Sequence, residues 1–173
     1  MGCGNGNLPL LAAVKTDDQV IGVDVDESGL RTARQCHPGR YFICGQGERL
    51  PFREMSFDRV VSNVALPYMD IPKTLRESYR VLNPGGTVFF SVHPLRFTIK
   101  EFKRFFPQPV SGAFRLYVML SGFYFHCTGK TLPRESFQTK RGLRIALRRE
   151  GFVDIEFERP SGRLIVRAKK PMA

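Results

Sequence analysis

Between Val20 and Val92 short β-type runs alternate with stretches of helical periodicity, and this alternation constrains the fold more than any other feature of the chain. Residues 20–25 form an apolar run that reads as a buried strand. Residues 27–36 read as a short helix closed by His37, Pro38 and Gly39, and residues 40–44 as a second strand. Residues 57–62 give a third strand centred on Val60 and Val61. Asp70 can cap a helix reaching about Leu82, with Ile71, Leu75, Tyr79 and Leu82 at helical spacing and Asn83, Pro84, Gly85 and Gly86 as its stop. Residues 87–92 are a fourth strand. Strand, helix and strand joined by short loops imply parallel strands with crossover helices, an α/β fold.

The rest of the chain follows a different plan. Residues 93–134, rich in Phe, Tyr, Gly and basic side chains, read as an inserted substrate or lid region within one domain spanning residues 1–173. Residues 137–150 look helical, with Gly151 as the stop. Residues 152–158 and 164–168 read as strands joined by Pro160-Ser161-Gly162, an antiparallel hairpin.

Charge divides the chain the same way. Residues 1–94 hold ten Lys and Arg against ten Asp and Glu, whereas residues 95–173 hold seventeen against six and so carry the whole net charge of +11. Two basic segments account for much of it, residues 96–104 and 140–149. The second has Lys140, Arg141, Arg144, Arg148 and Arg149 on a helix with Leu143, Ala146 and Leu147 facing inward. Such a face is either a solvated surface or an attraction for anionic partners. None of the four cysteines forms a CxxC pair and the three histidines lack ligand spacing, so neither a zinc site nor a disulfide framework is expected, and a reduced cytoplasmic setting fits best. No apolar run is long enough to span a bilayer.

Three motifs carry chemistry. Gly2-Cys3-Gly4-Asn5-Gly6 places glycines at alternate positions, which lets a backbone turn sharply and come close to a ligand. About twenty residues on, Ile21-Gly22-Val23-Asp24 ends a strand in an acid able to accept hydrogen bonds from ribose hydroxyls; Asp26 is the better helix cap. The third is Gly45-Gln46-Gly47-Glu48-Arg49-Leu50-Pro51-Phe52, followed by Ser56-Phe57-Asp58.

In that order, and completed by Leu82-Asn83-Pro84-Gly85-Gly86, these segments resemble the class I S-adenosylmethionine-dependent methyltransferases, in the broad small-molecule branch that includes ubiquinone-type enzymes. The resemblance runs in register to about residue 92. It implies a Rossmann-like three-layer sandwich with a mostly parallel twisted sheet and a terminal antiparallel hairpin, S-adenosyl-L-methionine as cofactor, and methyl transfer to a small-molecule or lipid-like acceptor. It assigns Gly2, Cys3, Gly4 and Gly6 to the loop against the methionine part, Asp24 to the ribose and Val25 to the adenine. Gln46 stands where the family usually has Asp, Gly47 offers its backbone N–H, and Asn63 with Val64 borders cofactor and acceptor. The family's loop follows a buried central strand ending in an acid. Here only Met1 precedes Gly2, so the pattern is N-terminally truncated: either the numbering begins partway through a longer protein or the start is misassigned, which is the favoured reading, or the chain truly lacks the strand, which would leave backbone groups of the neighbouring strands without that partner.

His93, just past the fourth strand, is the candidate general base; Tyr68, Tyr124 and His126 are candidate acceptor contacts, and Cys127 is expected to be a buried thiol. No metal is required. The alternative is a non-catalytic module of the same fold that binds RNA or a protein. A dinucleotide dehydrogenase is disfavoured because Gly-x-Gly-x-Gly is not its pattern.

Overall fold

The computed structural model describes residues 1–6, 18–92, 109–132, 137–159 and 163–172. In chain order the elements are β1 (Ile21–Asp24), α1 (Glu27–Cys36), β2 (Tyr41–Cys44), β3 (Phe57–Asn63), a single 3-10 turn (Leu66–Tyr68), α2 (Ile71–Val81), β4 (Leu82–Val92), α3 (Pro109–Thr128), α4 (Lys140–Arg149), β5 (Val153–Glu158) and β6 (Leu164–Lys169). His93, the basic segment 96–104 and the turn 160–162 lie outside the described residues.

The strands hydrogen-bond as two sheets. Among the described residues β1 pairs with β2 alone, in parallel, and the other four follow the order β3-β4-β6-β5, with β3 and β4 parallel and β6 antiparallel to both its neighbours. Val88 and Phe90 on β4 and Val166 and Ala168 on β6 are buried; they share one core with Ile71, Leu75 and Val81 of α2 and Leu143 and Leu147 of α4. A smaller cluster of Cys3, Leu30, Ala33 and Phe42 serves the β1-β2 half.

The inner edges of β1 and β3 face each other across a trough of about 540 Å³, lined by Val20 and Val23 on one side and Phe57 and Val61 on the other, with Leu50 among the further residues. At its far end residues 1–3 span the gap: the Met1 nitrogen donates to the Val61 carbonyl at 2.8 Å and the Cys3 N–H to the Val23 carbonyl at 3.2 Å. Burial pushes the pKa of the Cys3 thiol above its ordinary value.

Local chemistry explains most boundaries. The Asp26 carboxylate accepts from the Ser28 N–H and caps α1, and Asp70 does the same for α2 through Lys73. The Asn-Pro-Gly-Gly stretch is not a simple helix stop followed by a strand at Thr87. β4 already starts at Leu82, which pairs with Phe57, while Thr87 pairs with Arg59; the residues between bulge out around Gly85 at φ +76°. The expected helix over residues 137–150 begins at Lys140, because the Thr139 hydroxyl caps it by accepting from the Gly142 N–H. Phe137 is buried outside that helix, against Gly122: a Cβ at Gly122 would lie 2.1 Å from the Phe137 ring. Cys127 is exposed, not buried. On α3 it follows the outward stripe of Leu116, Leu120, Phe123 and Tyr124 at helical spacing, while Val118, Ser121 and Phe125 face inward. Among the described residues no helix is long and apolar enough to cross a membrane.

Candidate functional site

The glycine turn and Asp24 meet. The Gly4 N–H donates to Asp24 Oδ2 at 2.7 Å, and the Asp26 N–H donates to Oδ1 of the same carboxylate at 3.0 Å. Asp24 is therefore fixed in place by backbone donors, and its two oxygens keep further lone pairs for another donor. Its carbonyl accepts from the Gly45 N–H at 2.9 Å, which brings the Gly45-Gln46-Gly47 segment alongside.

The three loop glycines have separate jobs. All have positive φ, +64° at Gly2, +51° at Gly4 and +84° at Gly6. A Cβ at Gly2 would lie 2.1 Å from that of Ala65, so this glycine allows the turn to pack on the loop after β3. A Cβ at Gly6 would meet His37 at 2.7 Å. At Gly4 nothing among the described residues lies within 4 Å of where a Cβ would be, so that side of the turn beside Asp24 is open. The turn thus sets a half-buried backbone in left-handed conformation next to an anchored carboxylate.

The other expected residues fall into two groups. Val25, 64% exposed, extends from the end of β1 beside Asp24, and Gln46 is exposed at a small bridge to Arg49. Gly47 is buried: a Cβ there would lie 2.8 Å from Met69 Sδ. Asn63 ends β3 with its Oδ1 buried and without a hydrogen-bond partner, and Val64 is held at φ +61°, a costly conformation for a β-branched residue, with its N–H on the Ser91 carbonyl at 2.9 Å. Strain and an orphaned acceptor at the carboxyl end of parallel strands mark the place where such sheets bind ligands. Cys3 turns its side chain into the smaller core, leaving only its backbone at the turn.

The candidate acceptor contacts are scattered. Tyr68 is exposed on the 3-10 turn that follows Asn63 and Val64. Tyr124 is exposed on α3, and His126 Nδ1 lies 2.9 Å from the Thr139 hydroxyl. That bond joins α3 to the cap of α4, so His126 stands at a helix joint.

Two features were missed from the sequence. Met69 touches the positions of both Gly2 and Gly47, closing the ring between the opening turn and the third motif. The third motif is also clasped from α2. Arg80 donates to the Phe52 and Leu50 carbonyls at 2.8 and 3.1 Å, while Glu77 accepts from the Leu50 N–H at 2.8 Å and pairs with Arg80. The Arg80 guanidinium holds the Glu77 carboxyl below the ordinary range. The i, i+3 spacing of Glu77 and Arg80 on an amphipathic helix was the available signal, and it does not say which loop the pair would hold.

The sequence profile of a family described as a methyltransferase domain matches residues 1–90. Demethylmenaquinone methyltransferase of Symbiobacterium thermophilum is 42% identical over 93 residues, 49% of this chain and 37% of that protein. Malonyl-(acyl-carrier protein) O-methyltransferase of Methylococcus capsulatus is 26% identical over 163 residues, 91% of this chain and 52% of that one. The chain thus spans between a third and about half of these relatives' own length. The fold is shared with a SAM-dependent methyltransferase from Thermotoga maritima, TM-score 0.68 at 19% identity, covering 98% of this chain and 79% of that one. It is shared as well with the [4+2]-cyclase SpnF, TM-score 0.67 at 17% identity, covering 99% of this chain and 74% of that one, so the fold alone does not fix the reaction. With residues 1–90 matched, more than half of its length, the chain belongs to the methyltransferase-domain family.

Proposed function

We propose that this chain binds S-adenosyl-L-methionine and takes part in methyl transfer to a small-molecule or lipid-like acceptor. The observation that carries the reading is the 2.7 Å bond between the Gly4 N–H and Asp24, beside a loop backbone with nothing where its Cβ would be. The residues suit an adenosyl ligand: an anchored carboxylate for vicinal hydroxyls, the exposed Val25 as an apolar face, and Gln46 and Gly47 as polar backbone and amide partners.

When bound, the cofactor supplies a methyl group already activated on a sulfonium. The protein then has to position the nucleophile and exclude water. Asn63 is assigned to the border between cofactor and acceptor on account of its buried, unpartnered Oδ1. Val64 holds the loop beside it in one conformation, and Tyr68 lies on the turn that follows. His93 comes directly after Val92, the last residue of β4, a position suited to taking a proton from an acceptor hydroxyl or amine. Tyr124 and His126 remain assigned to the acceptor side. The chain is read as one domain acting in the cytoplasm, with no metal in the chemistry.

Titration calorimetry with S-adenosylhomocysteine tests the reading. Saturable one-to-one binding is expected, weakened about tenfold or more by Asp24→Ala, since a lost hydrogen bond to a charged group is worth about 1.5–3 kcal/mol. Circular dichroism checks that the variant folds. Absence of both heat and a thermal shift with the unaltered chain would sink the cofactor assignment.

A further inference from the structure

The outer face of α4 carries five cations, Lys140, Arg141, Arg144, Arg148 and Arg149, and no acid. The four arginines are exposed and Lys140 is half-buried. None of the five is in an ion pair among the described residues. The next residue, Glu150, is an acid, but Arg76 of α2 takes it at 3.2 Å. Arg148 and Arg149 in the last turn suit the helix macrodipole, but the rest of the stripe opposes the helix's own electrostatics. Lys140 and Arg141 sit in the first turn, where the macrodipole favours anions, and Arg144 and Arg148 are like charges one turn apart. A helix face that gathers like charges, with none of them in an ion pair among the described residues, is electrostatically complementary to an anionic partner.

The stripe is also partly fixed in place. Lys140 lies 5.7 Å and Arg144 5.1 Å from the centroid of the Phe157 ring on β5, so both side chains rest on one aromatic. Arg141, Arg144 and Arg148 follow one another at i, i+3 and i+7, about 4.5 and 6 Å apart along the axis. Carboxylates on an amphipathic helix repeat with that same rise. Single-stranded nucleic acid, by contrast, gains much of its affinity by stacking bases on free aromatic faces, and Phe157, the ring beside the stripe, is already covered by two cations.

We propose that the outer face of α4 docks an acidic helix of a partner protein. The assignment does not depend on the cofactor reading and is tested without cofactor. The probe is a labelled Glu/Ala peptide of about 21 residues, long enough to be helical in water, with glutamates at i, i+3 and i+7. Anisotropy against the full chain at about 50 mM salt, where screening is modest, should show binding weakened about tenfold or more by R141E/R144E. The same peptide carrying two central prolines, and a decameric oligouridylate, are the comparison ligands. Equal affinity for the proline-broken peptide overturns the proposal, because charge alone then explains binding. Tighter binding of the oligouridylate, lost on the same reversal, overturns it in favour of a nucleic-acid face. Indifference to the reversal, or no binding of the helical peptide, overturns it outright. Should R141E/R144E fail to fold by circular dichroism, R141Q/R148Q serves in its place with an expected weakening of about threefold.

Discussion

The two sheets do different work with different amounts of structure. In the four-stranded sheet, β4 is hydrogen-bonded on both sides and its inward residues, Val88, Phe90 and Val92, are at most 1% exposed. Among the described residues the two-stranded sheet has four residues per strand, a cluster of four buried side chains, and one edge of β1 on the trough. Yet Asp24, Val25 and Gln46, which are proposed to hold the cofactor, belong to the smaller half, and the glycine turn bridges the two. Ligand-binding elements are drawn from the low-stability end of a fold, because what must adapt to a ligand cannot also be its most rigid part. The contrast sets a scaffold, β3-β4-β6-β5 with α2 and α4, beside a smaller half that carries the proposed cofactor residues.

The largest expected effect tests the scaffold. Phe90→Ala should cost about 3–5 kcal/mol, the usual range for emptying a buried aromatic site. At about 2–4 °C per kcal/mol for a chain of this size, thermal unfolding followed by circular dichroism should show a midpoint lower by roughly 10 °C. Phe42→Ala, in the smaller cluster, should lower the midpoint clearly less while weakening S-adenosylhomocysteine binding more. Equal thermal losses with unchanged binding in both would erase the distinction between the halves.

Next in size is the seam. Gly2→Ala forces a Cβ to within 2.1 Å of Ala65 at φ +64°, and overpacking plus the left-handed penalty together come to about 3 kcal/mol. Gly4→Ala meets nothing, so only the backbone term of about 1–2 kcal/mol applies. Calorimetry and thermal melts on the pair should therefore rank Gly2→Ala as the more damaging to stability. The reverse ranking would mean that the opening turn does not pack on the loop after β3. Amide exchange offers a milder test of the same contrast: Phe42, in the smaller cluster, should exchange roughly a hundredfold faster than Val88 and Phe90, by local opening.

The order of strands and helices was legible because each leaves a local mark. Asp26 and Asp70 cap where a short acid should, and the apolar rhythm of residues 71–81 puts one face of α2 in the core. The meeting of Gly4 and Asp24, twenty residues apart, was legible too, since a glycine turn and a strand-ending acid have few other uses in an α/β chain. Other contacts leave no such mark. Met69 lies between Gly2 and Gly47 only because the 3-10 turn at Leu66–Tyr68 delivers it there, and nothing in Leu-Pro-Tyr-Met announces that path. The exposure of Cys127 depends on which face of α3 meets α4, which an almost uniformly apolar stretch cannot say. The start of α4 was misjudged because Phe137 continues the apolar rhythm while the hydroxyl of Thr139 sets the boundary.

The smallest expected effect concerns the clasp between the halves. Glu77 and Arg80 belong to α2, in the scaffold, but they grip residues 50–52, the far end of the segment that brings Gly47 to the site. Arg80's hydrogen bond is the main reason the Glu77 carboxyl titrates below its ordinary value; burial opposes that shift, and the Leu50 N–H adds to it. A carboxylate whose folded pKa is lowered contributes stability that is complete above its unfolded pKa and fades as pH falls through the folded one. At neutral pH, Glu77→Gln should therefore be less stable than the unaltered chain, and the gap should narrow below about pH 4.5. Because the group released first is the loop, the Leu50 amide should lose exchange protection on acidification before the amides of Val88 and Phe90 do. A gap that persists undiminished at pH 3, or a Leu50 amide that opens only together with β4, would place the loop inside the scaffold and move the boundary between rigid and adaptable structure to the glycine turn itself.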